Sequence, residues 1–240
     1  MEEYIVRRVG RRVLRLQSVD KGVVRYLHLE DTWDHAEGEI IGVQVTRRWR
    51  LGGSRHLMGR IVRTRVDLDA LQIEPRPLEE KDDGLFAFRL LSQDRIVSRL
   101  IDDAADDIRR GRCECAAELL HRVLDAEPSC LDAYNHLGLL AERDGLHRRA
   151  LRYYRIAYLI GSRSLPPSLP GPIPWCYPSN RPYLRAAHGY GLELWRIGRS
   201  EVAKEILRHL LVMDEGDPFG ARTLLDDIEA GVQPWAQAVV

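Results

Sequence analysis

Seven arginines and one tryptophan lie close together between residues 47 and 65, with no acidic residue among them. The set comprises Arg47, Arg48, Trp49, Arg50, Arg55, Arg60, Arg63 and Arg65. Guanidinium groups pair with phosphates and aromatic rings stack with bases, so a basic face with an aromatic side chain is typical of a single-stranded nucleic-acid platform. The competing interpretation is a solvated strand face whose charge is balanced by the acidic stretch Glu30, Asp31, Asp34, Glu37 and Glu39. The sequence leaves both open.

No motif in the sequence supports a catalytic, cofactor or metal site. The chain lacks a P-loop, a GxGxxG fingerprint, a GxSxG elbow, an HExxH zinc motif and a CxxC pair. Its four cysteines are spaced for neither a disulfide framework nor a paired zinc site. Four aspartates, at 102, 103, 106 and 107, share one helix face, which is typical of a solvated surface. We therefore expect a protein without enzyme activity, cofactor or metal.

Bulk properties favour a globular protein with two modest domains. The chain has 240 residues, a hydrophobic share of 45% and a formal net charge of zero, which excludes a nucleic-acid field spread over the whole molecule. The N-terminus lacks the apolar run of a signal peptide, and no stretch is long and apolar enough to span a membrane. These features predict a cytoplasmic protein with no membrane partner.

The basic cluster lies in an N-terminal region whose pattern predicts β-strands. Between residues 1 and 80, short β-branched and aromatic runs alternate with turn signals. The segment LGGS, residues 51–54, predicts a tight hairpin turn because two adjacent glycines allow positive φ. Five or six strands in this length would close into a small antiparallel β-barrel or a strongly bent sheet, which removes exposed edges.

The remaining chain repeats a helical pattern. In residues 131–160, Gly138 follows large apolar residues on a first helix, and Ala150, Tyr154 and Ala157 share one face of a second. Shifting this pattern back by 34 residues, or forward by 53, finds further copies with glycine and alanine in register. This pattern resembles the tetratricopeptide repeat (TPR), whose period is 34 residues. The chain is thus predicted to be α+β multidomain, with a C-terminal α-helical TPR array.

The repeat register predicts the following domain plan. Residues 94–231 form three helical hairpins and end in a capping helix, 218–230. The forward shift exceeds one period by 19 residues, so a proline-rich insertion, 162–182, separates the second and third hairpins. Residues 232–240 form an apolar tail that folds back on its own domain or mediates self-association. A domain boundary falls at residues 78–93, where charges invert and Asp82, Asp83 and Gly84 mark a break.

Residues 180–225 also resemble a segment shared by bacterial TPR proteins and the suppressor-of-tumorigenicity family. The residues that match are Arg181, Pro182, Tyr183, Arg185, Ala186, Gly189, Leu194, Trp195, Gly198, Arg199, Ala203, Leu210, Leu211, Asp217, Gly220 and Arg222. Two dipeptides differ from that pattern, Glu215-Gly216 and Asp217-Pro218. This resemblance implies an interaction module and no reaction.

A TPR array implies a peptide groove built from the first helix of each repeat. Counting along those helices selects Asn135, Glu142, Arg143, Arg185, His188, Trp195 and Arg196. Their charges favour an acidic or C-terminal peptide. We therefore predict a non-catalytic adaptor that binds a partner polypeptide. The alternative is a nucleic-acid-binding protein that uses the basic hairpin, with the helical domain serving for assembly.

The proline-rich insertion has two expected arrangements. Either it bulges away and the second and third hairpins still stack, or it lies across the groove with Ile173, Trp175 and Tyr177 in the place of a peptide. The second is favoured because exposing Trp175 and Tyr177 to water is costly and extended polyproline suits such a groove.

Overall fold

The computed structural model describes residues 1–32, 34–81, 84–89 and 95–234. Its chain divides into two compact units, the first formed by Met1–Glu74 with Leu124–Pro128 and the second by Pro75–Val123 with Ser129–Val240. Parts of three predictions fall on residues outside the described ranges. These are residues 82–83 of the domain boundary, 90–94 before the first helix and 235–240 of the tail.

The first unit contains a closed barrel of five strands in the order β1-β2-β3-β5-β4. The strands are β1 (Glu2–Val9), β2 (Val13–Ser18), β3 (Val24–His28), β4 (Ile40–Leu51) and β5 (Ser54–Arg65). All neighbours are antiparallel except β3 and β5, which are parallel. The prediction of an antiparallel barrel is wrong for this pair. The connection between β3 and β4 is not a hairpin, so β5 can return beside β3 in the same direction.

Alternation of apolar residues determines which face of each strand lies in the barrel core. Leu14, Leu16, Leu27 and Leu57 are buried with residues of β1 and β4 in one cluster. The neighbours of Leu27 and Leu57 along their strands therefore point outward. The β4–β5 hairpin is the longest element of the barrel, and its turn at Gly52-Gly53 has φ values of 54° and 81°, which confirms the predicted turn.

Within the described ranges, the other elements are one small sheet and seven helices, all in the second unit except residues 124–126 at the end of the second helix. The sheet pairs β6 (Leu78–Glu80) with β7 (Phe86–Phe88). The helices are α1 (Arg95–Arg109), α2 (Cys113–Ala126), α3 (Leu131–Arg143), α4 (His147–Ser162), α5 (Arg181–Arg196), α6 (Ser200–Met213) and α7 (Ala221–Glu229). From α3 to α7 each helix packs against the next. Helix α7 occupies the place of the predicted capping helix and begins at Ala221. The Asp217 carboxylate, which precedes the helix, accepts the backbone N–H of Ala221.

Small residues permit the close packing of α3, α4 and α5, as the repeat pattern predicts. Tyr154 of α4 is 6% exposed. A Cβ atom at Gly138 of α3 would lie 2.8 Å from its ring, and one at Gly189 of α5 would lie 2.7 Å away. The Tyr154 hydroxyl donates a 2.7 Å hydrogen bond to Oε2 of Glu142. One tyrosine therefore locks three consecutive helices together.

The proline-rich insertion combines features of both expected arrangements. Helix α4 packs directly on α5, so the second and third hairpins do stack. Ile173 is fully buried, and its backbone N–H donates to the carbonyl of Met213 at 2.8 Å. Trp175 is half-buried against the first turns of α5, where Arg181 and Arg185 lie over its ring. The insertion therefore borders α5 and leaves the stacking intact.

Candidate binding surfaces on the two units

Two of the residues predicted to line the groove on α3 hold the array together. Asn135 is 5% exposed, and its Nδ2 donates a 2.7 Å hydrogen bond to the carbonyl of Pro182. Arg143 donates from Nη1 to the carbonyl of Ile108 near the end of α1, at 3.2 Å. Trp195 on α5 is 4% exposed and belongs to the core. The structure therefore leaves these three side chains with packing contacts inside the helical unit.

Glu142 and Arg196 belong to an internal ion network. The Arg196 guanidinium pairs with both Glu142 and Glu193. Glu193 is fully buried, and its second oxygen lies 3.1 Å from Nδ1 of His147. Burial raises the pKa of the Glu193 carboxyl, although Arg196 opposes the shift. Because its guanidinium charge is already shared by two carboxylates, Arg196 attracts an acidic peptide only weakly.

Arg185, at the start of α5, is similarly occupied. Its Nη1 lies 3.1 Å from Oδ1 of Asp132, and its guanidinium carbon lies 5.2 Å from the centre of the Trp175 ring. Trp175 is held in turn by a 2.8 Å hydrogen bond from its backbone N–H to Asp214. This arginine anchors the insertion against α5, a contact that position counting does not detect.

A pocket of about 500 Å³ lies between α5 and α7. Its lining consists of His188, Leu192, Arg196, Phe219, Gly220, Thr223, Leu224 and Pro234. His188 stacks on Phe219 with ring centres 4.9 Å apart, and Trp175 meets Phe219 edge to face at 5.1 Å. Burial lowers the pKa of His188 against the opposing charges of Glu142 and Asp217, so its imidazole is neutral at pH 7. The pocket thus has apolar walls and a neutral hydrogen-bonding ring.

Four rings form a cluster on the outer face of the barrel. Tyr26 on β3, His56 on β5 and Trp49 on β4 lie side by side in register, with ring centres 5.2 and 5.6 Å apart. His28 tilts against Trp49 and His56, and its Nε2 lies 2.9 Å from Nδ1 of His56 in a hydrogen bond. Trp49 is the only ring of this cluster that the sequence argument singled out. His56 lies opposite Trp49 in the β4–β5 hairpin, whereas Tyr26 and His28 come from β3 and are placed there by the parallel pairing of β3 with β5.

The arginines around this ring cluster are largely without acidic partners. Arg48 pairs with Glu2, and Arg65 pairs with Glu3 and Asp67. Within the described ranges, no ion pair is formed by the other five, Arg47, Arg50, Arg55, Arg60 and Arg63. All five are exposed. This part of the barrel therefore presents arginines that form no direct ion pair among the described residues.

The acidic stretch that could have balanced these arginines has other contacts. Glu37 and Glu39 are 3% and 2% exposed, and they accept backbone N–H groups of Val9 and Ala36. Glu30, Asp31 and Asp34 line a surface depression with Arg11 and Arg12. Glu30 and Asp31 also line a depression together with Arg60, so the interpretation of the hairpin arginines as one half of a balanced surface stays open.

A smaller pocket of about 270 Å³ joins the ring cluster to the arginines of the hairpin. It is lined by Arg25, Arg48, Trp49, Arg50, Arg55, His56 and Leu57. The Nε atom of Arg25 is buried there without a hydrogen-bond partner. An anion in this pocket would meet several guanidinium groups at once.

No group of three or more histidine, cysteine, aspartate or glutamate side chains is arranged to hold a metal ion in the part of the chain that the structure describes. Among the same residues, no helix has the length and apolar character needed to cross a bilayer.

The second unit contains an array of helical hairpins, in which each helix from α3 to α7 packs against the next. No family model matches the chain, and no curated protein matches it. The first TPR domain of Spaghetti (RPAP3), solved with the HSP90 peptide SRMEEVD, is 16% identical with a TM-score of 0.46, covering 58% of this chain and 94% of that one. The first TPR domain of human RPAP3 is 18% identical with a TM-score of 0.44, covering 59% and 93%.

A third similar structure is the type III secretion translocator chaperone SycD of Yersinia enterocolitica. It is 13% identical with a TM-score of 0.44, covering 58% of this chain and 96% of that one. With TM-scores below 0.5, these three likenesses establish neither the family nor the ligand of this chain. The finer resemblance of residues 180–225 to the suppressor-of-tumorigenicity family stays a prediction.

Proposed function

We propose that the helical unit is a non-catalytic protein-interaction module that binds a partner polypeptide in the pocket between α5 and α7. The supporting observation is the pocket itself, about 500 Å³ in volume and walled by Leu192, Phe219, Leu224 and Pro234. A cavity of this size accommodates one or two side chains of a peptide, and apolar walls with a few polar groups are usual for a binding site.

The chemistry of the pocket favours an apolar anchor over an acidic one. Arg196 is neutralised by Glu142 and Glu193, Arg185 by Asp132, and His188 is neutral because of its burial. These contacts remove the attraction that the sequence pattern predicted for an acidic peptide. A leucine or aromatic side chain of the partner would pack against Leu192 and Phe219, while His188 and Thr223 offer hydrogen bonds to its backbone.

The insertion would shape this site rather than occupy it. Trp175 supports Phe219 edge to face, and Phe219 stacks on His188. Removing Trp175 would therefore loosen one wall of the pocket without touching the partner. We expect Trp175→Ala to weaken binding less than a change in the pocket itself.

The test selects peptides and then challenges them with matched variants. A random-peptide phage library is panned on the immobilised full chain, and the enriched peptides are measured by calorimetry. Leu192→Asp should lower affinity by at least tenfold because a buried carboxylate in an apolar wall is unfavourable. The control is Val212→Asp on α6, which changes an apolar side chain that is 63% exposed.

Affinity that is equal in both variants would place the binding surface elsewhere. Charge reversal at Arg185 or Arg196 is a poorer test, because it removes the arginine partner of Asp132, or of Glu142 and Glu193, and so disturbs the fold.

A further inference from the structure

We propose that the outer face of β3, β5 and β4 binds single-stranded nucleic acid, whose bases stack on the ring cluster and whose phosphates pair with the surrounding arginines. This site is separate from the proposed peptide pocket and belongs to the other unit. The inference starts from the four rings of Tyr26, His28, Trp49 and His56, which the fold assembles from three strands.

The ring cluster is a preformed stacking surface. Tyr26, His56 and Trp49 form a column across the sheet, with interplanar angles of 25° and 19° between neighbours. The hydrogen bond between His28 and His56 fixes the two imidazoles, so little side-chain entropy is lost when a ligand binds. The Arg47 guanidinium lies 5.8 Å from the centre of the Trp49 ring, which shows that this ring can receive a flat group. A base can continue such a column.

Positive charge surrounds the column in the arrangement that a phosphate backbone requires. Arg47 and Arg60 point to the same side of the sheet as the rings, by the alternation of β4 and β5. Arg50 and Arg55 line the small pocket beside Trp49 and His56. None of these four is paired with an acid in the part of the chain that the structure describes. A phosphate would therefore meet guanidinium groups without having to displace a carboxylate from them.

The ring column and the arginines together favour single-stranded over double-stranded nucleic acid. In a duplex the faces of the bases are covered by their neighbours, so protein rings reach them only after unstacking. Arginines alone would bind any polyanion, whereas a ring column adds affinity only for an unpaired base. The proposal therefore commits to single-stranded nucleic acid, and binding of a duplex or of another polyanion becomes an outcome of the test.

The experiment measures fluorescence anisotropy of the full chain with a labelled thymidine oligonucleotide, the matching duplex and heparin. We expect the single strand to bind most tightly at low salt. If the four arginines each neutralise one phosphate, the slope of log affinity against log salt should be about −3, from roughly −0.7 per phosphate on single strands. The double variant Arg50→Ala, Arg55→Ala should reduce the magnitude of this slope by about 1.4.

Variants of the rings separate stacking from charge. Trp49→Ala should weaken the single strand about tenfold or more while leaving heparin unchanged, because base stacking on one ring has about this effect. Trp49→Phe should retain most of the affinity, and it keeps the test valid if the alanine variant unfolds. The matched control for charge is Arg99→Ala on α1, whose side chain is 85% exposed. Thermal unfolding is recorded for every variant.

Two results would overturn the proposal. One is the absence of any binding to the oligonucleotide at low salt. The other is equal affinity for single strand, duplex and heparin together with no effect of Trp49→Ala, which would describe a general polyanion surface. Neither result would affect the peptide pocket, because its variants and its readout are independent.

Discussion

Replacing Asn180 by alanine is expected to be among the most destabilising single changes in the helical unit. Asn180 is fully buried at the start of α5. Its Oδ1 accepts the backbone N–H of Phe88 at 3.0 Å, and its Nδ2 donates to the carbonyls of Phe86 and Pro174 at 3.0 and 2.9 Å. One side chain thus joins β7, the proline-rich insertion and α5.

The magnitude follows from the backbone N–H of Phe88 and the carbonyl of Phe86, which alanine would leave without this partner, whereas the carbonyl of Pro174 also accepts the backbone N–H of Tyr177 at 3.3 Å. Each buried unsatisfied group costs about 1–3 kcal/mol. Some relaxation is expected, so we estimate about 3 kcal/mol for Asn180→Ala. Asn135→Ala is the matched control because Asn135 is equally buried but donates a single hydrogen bond, to Pro182. Its own Oδ1 has no partner, so its loss should cost only about 1 kcal/mol.

The assay follows the helical far-UV circular dichroism signal during thermal unfolding of both variants. A difference of about 2 kcal/mol corresponds to about 4–8 °C in Tm for a protein of this size. Asn180→Asp is a useful third variant, since it keeps the acceptor, removes both donors and buries a charge, and it should be at least as unstable as alanine. If Asn180→Ala unfolds at the same temperature as Asn135→Ala, the three-bond argument is refuted.

Three further predictions concern the array. Gly189→Ala should destabilise it by about 1–3 kcal/mol in chemical unfolding, because the new Cβ would lie 2.7 Å from the Tyr154 ring; an unchanged midpoint would contradict the close packing. Tyr154→Phe should cost about 1 kcal/mol by losing the bond to Glu142. Burial lowers the pKa of His188, so on acidification this imidazole is protonated at a higher pH in the unfolded chain than in the folded one. The free energy of unfolding therefore falls as the pH drops below 6.5. His188→Gln should flatten this fall, and equal pH profiles would exclude a contribution from His188.

Sequence reasoning succeeds for the helical array because its pattern is local. Gly138, Ala150 and Tyr154 stand at fixed spacings, and each spacing corresponds to one contact between successive helices. Stacking of such repeats requires no information from distant parts of the chain. The ring of Tyr154 therefore meets glycines on both sides, as a small-residue pattern implies.

The barrel and its ring cluster could be predicted only in part. Alternation along each strand indicates which side chains point outward, but it does not show which strands become neighbours. Trp49 and His56 share a hairpin and could be paired from sequence. Tyr26 and His28 join them only because β3 lies parallel to β5. The pairing of two strands that lie far apart in the sequence leaves no pattern in either strand from which it could be predicted.

The predicted groove shows a different limit of sequence reasoning. The position of a side chain on a helix does not determine whether that side chain is free to contact a ligand. Counting along the first helices selects side chains on one face, yet it cannot tell whether a carboxylate already lies opposite. Glu142 and Arg196 occupy their predicted face and satisfy each other. The pocket that remains beside them is defined by Phe219 and Thr223, which lie at and after the turn into the capping helix.

The ion pairs of individual side chains, and not the net charge of the chain, decide where this protein can bind a charged ligand. The chain as a whole has a formal charge of zero, which alone argues against a polyanion partner. In the helical unit many arginines are matched with acids, as in Arg99–Asp103, Arg109–Asp106, Arg112–Asp107, Arg185–Asp132, Arg196–Glu142, Arg208–Glu229 and Arg222–Asp217. On the β4–β5 hairpin, five of the seven arginines form no ion pair with any residue that the structure describes. A neutral total can therefore coexist with a local surface that attracts phosphates, and oligonucleotide binding at the barrel should respond to salt far more strongly than peptide binding at the pocket.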